Sequence, residues 1–303
     1  MKKLIKLTVI LFIICSAGAN AQQSPQYTQY MYNEFVINPA IAGTLNSYQI
    51  RSCNRFQWVG IDDAPITNTL SFYGPDAKRD MGYGGYVYHD VTGPTSQTEV
   101  SGSYAYNIAL NPDIRLSMGL ALGIKQFRVD GTQLTFDDGV EDPHAPASIM
   151  SSLVPDAAIG VYMYSSNFNV GFAANQLFNN KLNLVKGETA LNRLRSHFFL
   201  TGGYKYFFNR TWAVEPSAII KGMYPVQIQA ELNAKVIYHN MVWGSLSFRT
   251  HDAVSVLLGY NFKDKFIFGY SYDLSVSKFS TYNNGSHEIM IGYKFNSIKN
   301  ARR

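Results

Sequence analysis

Residues 226–238 alternate with a period of two that places nearly every apolar side chain on one face. Val226, Ile228, Ala230, Leu232, Ala234, Val236 and Tyr238 share one parity, and Gln227, Gln229, Glu231, Asn233 and Lys235 share the other. A helix would scatter the polar residues around every side, whereas a strand gathers them on one surface. At roughly 3.3 Å per residue the run outlasts the globular strand of about five or six residues and suits a tilted membrane-spanning strand of about 9–11 residues with its ends. This predicts an all-β transmembrane antiparallel up-and-down barrel, apolar side out and polar side in. The rival is a half-buried strand of a soluble sandwich.

The same pattern recurs along the chain. Ile114, Leu116, Met118, Leu120, Leu122 and Ile124 oppose Arg115, Ser117, Gly119, Ala121, Gly123 and Lys125; Val254, Val256, Leu258, Tyr260 and Phe262 share a face; so do Ile289, Ile291, Tyr293 and Phe295. Fourteen strands are predicted: 48–57, 66–73, 81–90, 96–109, 113–128, 154–165, 167–176, 195–208, 211–221, 226–239, 241–250, 253–262, 265–274 and 286–296. Their connections tend to alternate in length. Tight turns centre on Asn111-Pro112, Ser165 to Asn167, Asn209-Arg210, His239-Asn240 and Lys263-Asp264, and longer loops cover 58–65, 91–95, 129–153, 177–194 and 275–285. Short turns at one mouth and long loops at the other fit one barrel threaded through one membrane, with both termini on the short-turn, periplasmic side. Three links break the alternation: Gly74 to Asp80 is long, and Gly222 to Pro225 and His251-Asp252 are short.

The N-terminus fixes the compartment. Lys2, Lys3 and Lys6, an apolar core from Leu7 to Ile14 and Ala19-Asn20-Ala21 read as a signal peptide over 1–21. It takes three of the 26 basic residues with it, which leaves 23 against 21 acids. The basic pI is thus partly a property of the leader, and with no concentrated basic face the nucleic-acid class is rejected. Cys15 leaves with the leader, so Cys53 has no intrachain partner and is expected as a half-buried structural thiol. The rest has no apolar run of about 18 residues, so strands must do any crossing. Its 21 Tyr, 19 Phe and 24 Gly, with only 16% charged residues, suit aromatic girdles and bending strands.

Residues 22–47 differ from the strand-forming remainder of the chain, with Tyr27, Tyr30, Tyr32 and Phe35 between polar residues and breakers at Pro39 and Gly43. They form a lead-in that either lies under the periplasmic mouth or plugs the lumen; 48–296 is the barrel and 297–303 a tail. Arg115, Lys125, Glu215, Lys221, Gln227, Gln229, Glu231, Asn233 and Lys235 are expected to face the lumen. They either line an aqueous pore or, the favoured reading, pair across a filled one. The acid cluster Asp137, Asp138, Glu141 and Asp142 with His144 lacks calcium-loop spacing and reads as a solvated loop. His89-Asp90 and His251-Asp252 fall at strand ends, but neighbours on a strand point to opposite faces and no nucleophile motif accompanies them. No catalytic residue, cofactor or metal is expected.

The motifs together resemble the PorP/SprF family of outer-membrane proteins of the type IX secretion and gliding machinery. PQYTQYMYNEFVINPAIAG at 25–43 is similar to the family's opening. Gln57-Trp58, Ala64-Pro65, YAYNIAL at 104–110, Asp142-Pro143, Pro216-Ser217, the 225–229 segment, RTHDAV at 249–254, GYSYD at 269–273 and GSHEIMIGYKF at 285–295 come after it in order. Cys53 and the tail have no counterpart. The resemblance implies an integral outer-membrane accessory of type IX secretion, with no catalytic residues, that anchors the C-terminal domain of a secreted adhesin at the cell surface. A barrel tethering the periplasmic ring is the alternative, and a solute diffusion channel the second. Partners are then the secreted protein, translocon or ring components, and outer-membrane lipids. Because the long loops carry most of the irregular sequence, Asp137, Asp138, Glu141, Asp142, His144, Lys181, Lys186, Lys278, Phe279 and Tyr282 are the candidate contacts. Asn38, Pro39 and Gly43 are expected to fix a turn or plug.

Overall fold

The computed structural model describes residues 25–133, 148–184, 193–223 and 226–297, with the side chains of Val226, Gln227, Lys278 and Phe279 outside the description. Fifteen segments form the wall: β1 Tyr48–Phe56, β2 Ile66–Pro75, β3 Met81–Thr92, β4 Thr95–Ala109, β5 Arg115–Asp130, β6 Ile149–Tyr164, β7 Phe168–Asn175, β8 His197–Tyr204, β9 Tyr206–Phe207, β10 Trp212–Met223, β11 Val226–Tyr238, β12 Val242–Arg249, β13 Ala253–Phe262, β14 Phe266–Ser275 and β15 Ser286–Phe295. β8 and β9 are one strand interrupted at Lys205, and both pair with β10. Every strand pairs antiparallel with the next, and β1 pairs with β15 from Tyr48↔Phe295 to Phe56↔His287, closing a fourteen-strand barrel.

The alternation decides which way each side chain points. On β11, Leu232 and Val236 are exposed while Glu231, Asn233 and Lys235 are buried; on β5, Leu120, Leu122 and Ile124 face out and Ser117, Ala121 and Lys125 face in. Leu122, Leu232 and Leu246 keep 59%, 62% and 62% of their surface exposed. A continuous apolar belt of that kind belongs against lipid rather than water. Aromatic rings collect towards the short-turn ends: Tyr48 stacks with Phe72 and Phe295 at centroid distances of 5.9 and 5.6 Å, Phe266 meets Tyr293 at 4.9 Å and Trp212 meets Tyr238 at 4.6 Å.

The turn side carries tight hairpins. His239-Asn240 and Lys263-Asp264 take left-handed backbone angles, as type I′ turns require. The strand ends joined by the long connections 57–65, 131–148, 176–196 and 276–285 all lie at the opposite mouth. Two expectations are corrected here. The loop expected over 91–95 shrinks to Gly93-Pro94, because β3 and β4 both extend to meet there. The sixth strand starts at Ile149 rather than 154: Pro155 lies inside it, paired with Ile124, and β6 meets β7 only from Ile159 onward, so the missing N–H costs no ladder bond to β7.

Residues 25–43 lie within the barrel, and Leu45 and Asn46 are exposed where the chain reaches the turn-side mouth. Three short 3₁₀ turns, Tyr30–Tyr32, Glu34–Val36 and Pro39–Ile41, fold the segment, and its residues make up much of the interior core: Tyr30, Phe35, Ala40 and Ala42 are at most 1% exposed. Tyr48 and Phe295, the barrel's own ends, share the turn-side mouth. The first described residues of the lead-in lie near the loop-side strand ends, where Gln26 bonds Lys221 and Thr28 bonds Arg55 and Arg249.

Candidate functional site

The chemistry of the lumen is organised around Thr28. Its hydroxyl donates to Asp273 Oδ2 at 2.7 Å and accepts from Arg55 Nη1 at 2.8 Å and Arg249 Nη2 at 3.0 Å; its amide donates to Glu288 at 2.8 Å, and the Gln29 amide does so at 3.0 Å. Arg55 pairs with Asp273 at 2.8 Å and Glu288 at 3.4 Å, and Arg249 pairs with Glu231 at 2.7 Å and with Asp252 at 2.9 Å. Arg55, Arg249, Asp273, Glu231 and Glu288 are at most 2% exposed. Charges so far from water persist only when paired and hydrogen-bonded, and here the lead-in backbone completes the set.

The other inward residues also have partners. Lys125 binds Glu99 at 3.0 Å, and Tyr86 donates to the same carboxylate at 2.6 Å. Lys235 binds Glu215 at 2.8 Å and sits 4.7 Å over the ring of Tyr32. Lys221 donates to Gln26 at 2.9 Å, Asn233 accepts from Ser245 at 2.8 Å, and Arg115 reaches Asp80 at 2.8 Å near the turn-side mouth. Gln229 is half-buried, and the Gln227 side chain lies outside the description.

The turn-side half of the lead-in rests on backbone. The Asn38 side chain caps the last 3₁₀ turn at Ala40 N, 3.0 Å, and donates to the carbonyls of Val161 and Phe172 at 3.2 and 3.4 Å. Ser117 donates to Ala40 O at 2.6 Å. Gly119 lies under the Pro39–Ala40 peptide and Gly82 under Ala42–Gly43, where a Cβ would strike main chain; Gly43 itself has φ +76°. A cavity of about 50 Å³, room for a few waters, remains beside the segment between Tyr88, Lys125, Asp156 and His197. A vestibule of about 800 Å³ opens at the turn-side mouth, lined by Arg115, Tyr162, Tyr164 and Asn169.

Other sequence candidates are dispersed. His89 is exposed and bonds Thr98 at 2.8 Å, while Asp90 points the other way and accepts from Thr67 at 2.5 Å. His251 is exposed in a left-handed turn, and Asp252 serves Arg249. Neither pair forms a dyad. Cys53 is a correction: at 2% exposure it is fully buried rather than half-buried, its thiol donating to Glu288 at 3.2 Å, because β1 turns it inward against the lead-in. Asp137, Asp138, Glu141, Asp142, His144 and Lys186 lie outside the described residues. Lys181 forms a bridge with Arg193, Tyr282 is 74% exposed, and Lys278 and Phe279 open a short 3₁₀ turn. Among the described residues no cluster of His, Cys, Asp or Glu is placed to hold a metal.

The sequence matches the family described as "Type IX secretion system membrane protein PorP/SprF" over residues 19–293. The chain belongs to the PorP/SprF family. No curated protein matches it. Among solved structures, this PorP/SprF barrel is similar to the CymD monoaromatic hydrocarbon channel, at 11% identity over 90% of this chain and 94% of that one, TM-score 0.52. It is also similar to the toluene transporter TodX of Pseudomonas putida, at 10% identity over 89% and 94%, TM-score 0.51. At such identity these likenesses concern the barrel fold alone. The protein is thus a type IX secretion membrane protein with an outer-membrane barrel.

Proposed function

We propose that this PorP/SprF barrel anchors a secreted surface protein at the outer membrane, gripping its C-terminal domain through the long loops. One observation carries the reading: the lumen is occupied by the protein's own lead-in. A barrel filled by its own chain works through its mouths, and the long connections 57–65, 131–148, 176–196 and 276–285 all belong to one of them. That mouth faces outward in this reading, and the barrel ends Tyr48 and Phe295 face the periplasm. Exposed Tyr282 and the neighbouring Lys278 and Phe279, with Lys181 and the acidic stretch Asp137 to His144, are the proposed contacts.

The test is capture of the tagged barrel from gently solubilised outer membranes, with the companions identified by mass spectrometry. A large secreted protein, lost when 276–285 is replaced by a short Gly-Ser linker, is the expected result. Recovery of periplasmic ring or peptidoglycan-binding proteins alone overturns the anchor reading in favour of a tether at the turn-side mouth. Steady single-channel conductance from the wild-type barrel in planar bilayers would instead return the diffusion channel.

A further inference from the structure

We infer that the chain enters the barrel from the loop-side mouth, so that its first residues and the end of β15 lie on opposite sides of the membrane. The inference rests on depth. Thr28 is bound by Arg55, Arg249, Asp273 and Glu288, each within three residues of the loop-side end of its strand. Gln26 bonds Lys221, two residues short of the loop-side end of β10. From there the contacts step downward: Asn33 accepts from Ser71 at 3.0 Å midway along β2, Phe35 stacks on Tyr73 at 4.5 Å, Ala40 rests on Ser117 near the turn-side start of β5, and Gly43 lies against Met81-Gly82 at the turn-side start of β3. Residues 25–43 therefore make one pass through the lumen, from the loop side to the turn side, and hand the chain to β1 at Tyr48.

Chain length excludes a return. With the leader removed after Ala21, as the sequence predicts, residues 22–24 remain ahead of Pro25, and three residues reach at most about 10 Å. The apolar band of such a barrel is about 25 Å tall, and the turn-side lumen already holds the rest of the lead-in. An even strand count puts both ends of the barrel at one mouth; the threaded lead-in returns the first residues to the other. The head of the lead-in, Pro25 to Gln29, thereby forms part of the floor of the loop mouth, whichever partner that mouth receives.

Two epitope tags test this, one inserted between Gln23 and Ser24 and one placed after Arg303, in cells carrying the protein in their outer membrane. Antibody binding to intact cells at the first tag, with the second reached only after the membrane is permeabilised, is the expected result; tags reporting from the same side overturn the inference. Because a tag at the head can block assembly, a second measurement uses the purified barrel with Gln26→Cys and Lys221→Cys in a Cys53→Ser background. A short bismaleimide should join the two positions within one chain, and a folded barrel that gives no such product also overturns it.

Discussion

Thr28 and Ala40 belong to one short segment and meet opposite surroundings. Around Thr28 are two guanidinium groups and two carboxylates from four strands, with Glu231 behind Arg249, all sealed from water. Beneath Ala40 there is one hydroxyl and the bare main chain of Gly119. A buried ion-pair cluster adds little net stability over a well-packed apolar one, but breaking one member strands the others, so it specifies a position. A glycine seat specifies position by exclusion, since any side chain there needs space the lead-in already occupies. The loop-side end is held by what is present, the turn-side end by what is missing.

The largest effect should come from losing both ends at once. Deleting residues 25–43 is expected to turn a silent barrel into a conducting one in planar bilayers; a silent deletion variant would show that the wall closes without its plug. Arg249→Leu strands Glu231 and weakens the hold on Asp273, and should cost about 3–5 kcal/mol in urea unfolding of the detergent-solubilised barrel. Adding Glu231→Leu should recover most of that loss, and failure to recover would move the cluster's role from pairing to packing. Gly119→Val drives a side chain into the Pro39–Ala40 peptide and should cost about 1–3 kcal/mol, with flickering conductance as the turn-side end lifts. The smallest effect is that of Asn38→Ala, about 1 kcal/mol by loss of the cap, with the barrel remaining silent. If Gly119→Val and Asn38→Ala proved equal, the glycine seat would be no tighter than an ordinary cap.

The wall was legible because its physics is local. Period two over Val226 to Tyr238 places Glu231, Asn233 and Lys235 inside without knowledge of any neighbour. The start of the sixth strand was less legible, because Ile149 to Leu153 pair only with β5 and β7 stops short of them. The clamp was not legible as a cluster. Arg55, Asp273 and Glu288 stand on the inward parity of their strands, a signal the sequence does carry, but their meeting depends on the closure of β1 on β15 and on a segment outside the sheet. Cys53 was misjudged for the same reason, since the lead-in adds burial that its own strand cannot announce. The depth of the lead-in has no sequence signal at all; polar aromatic residues with Pro39 and Gly43 fit a segment under the mouth as well as one inside it.

Arg55 and Glu288 face each other directly across the β1–β15 seam, and Thr28 and Gln29 donate their amides to that same Glu288. The join between the first and last strands is therefore completed by a segment made before either of them. During assembly the seam cannot reach its final bonding before the lead-in is in place, and the lead-in has no finished seat before the seam forms. A wall that closes while the lumen is empty leaves Glu288 without those two amides, and so carries the defect at its own suture.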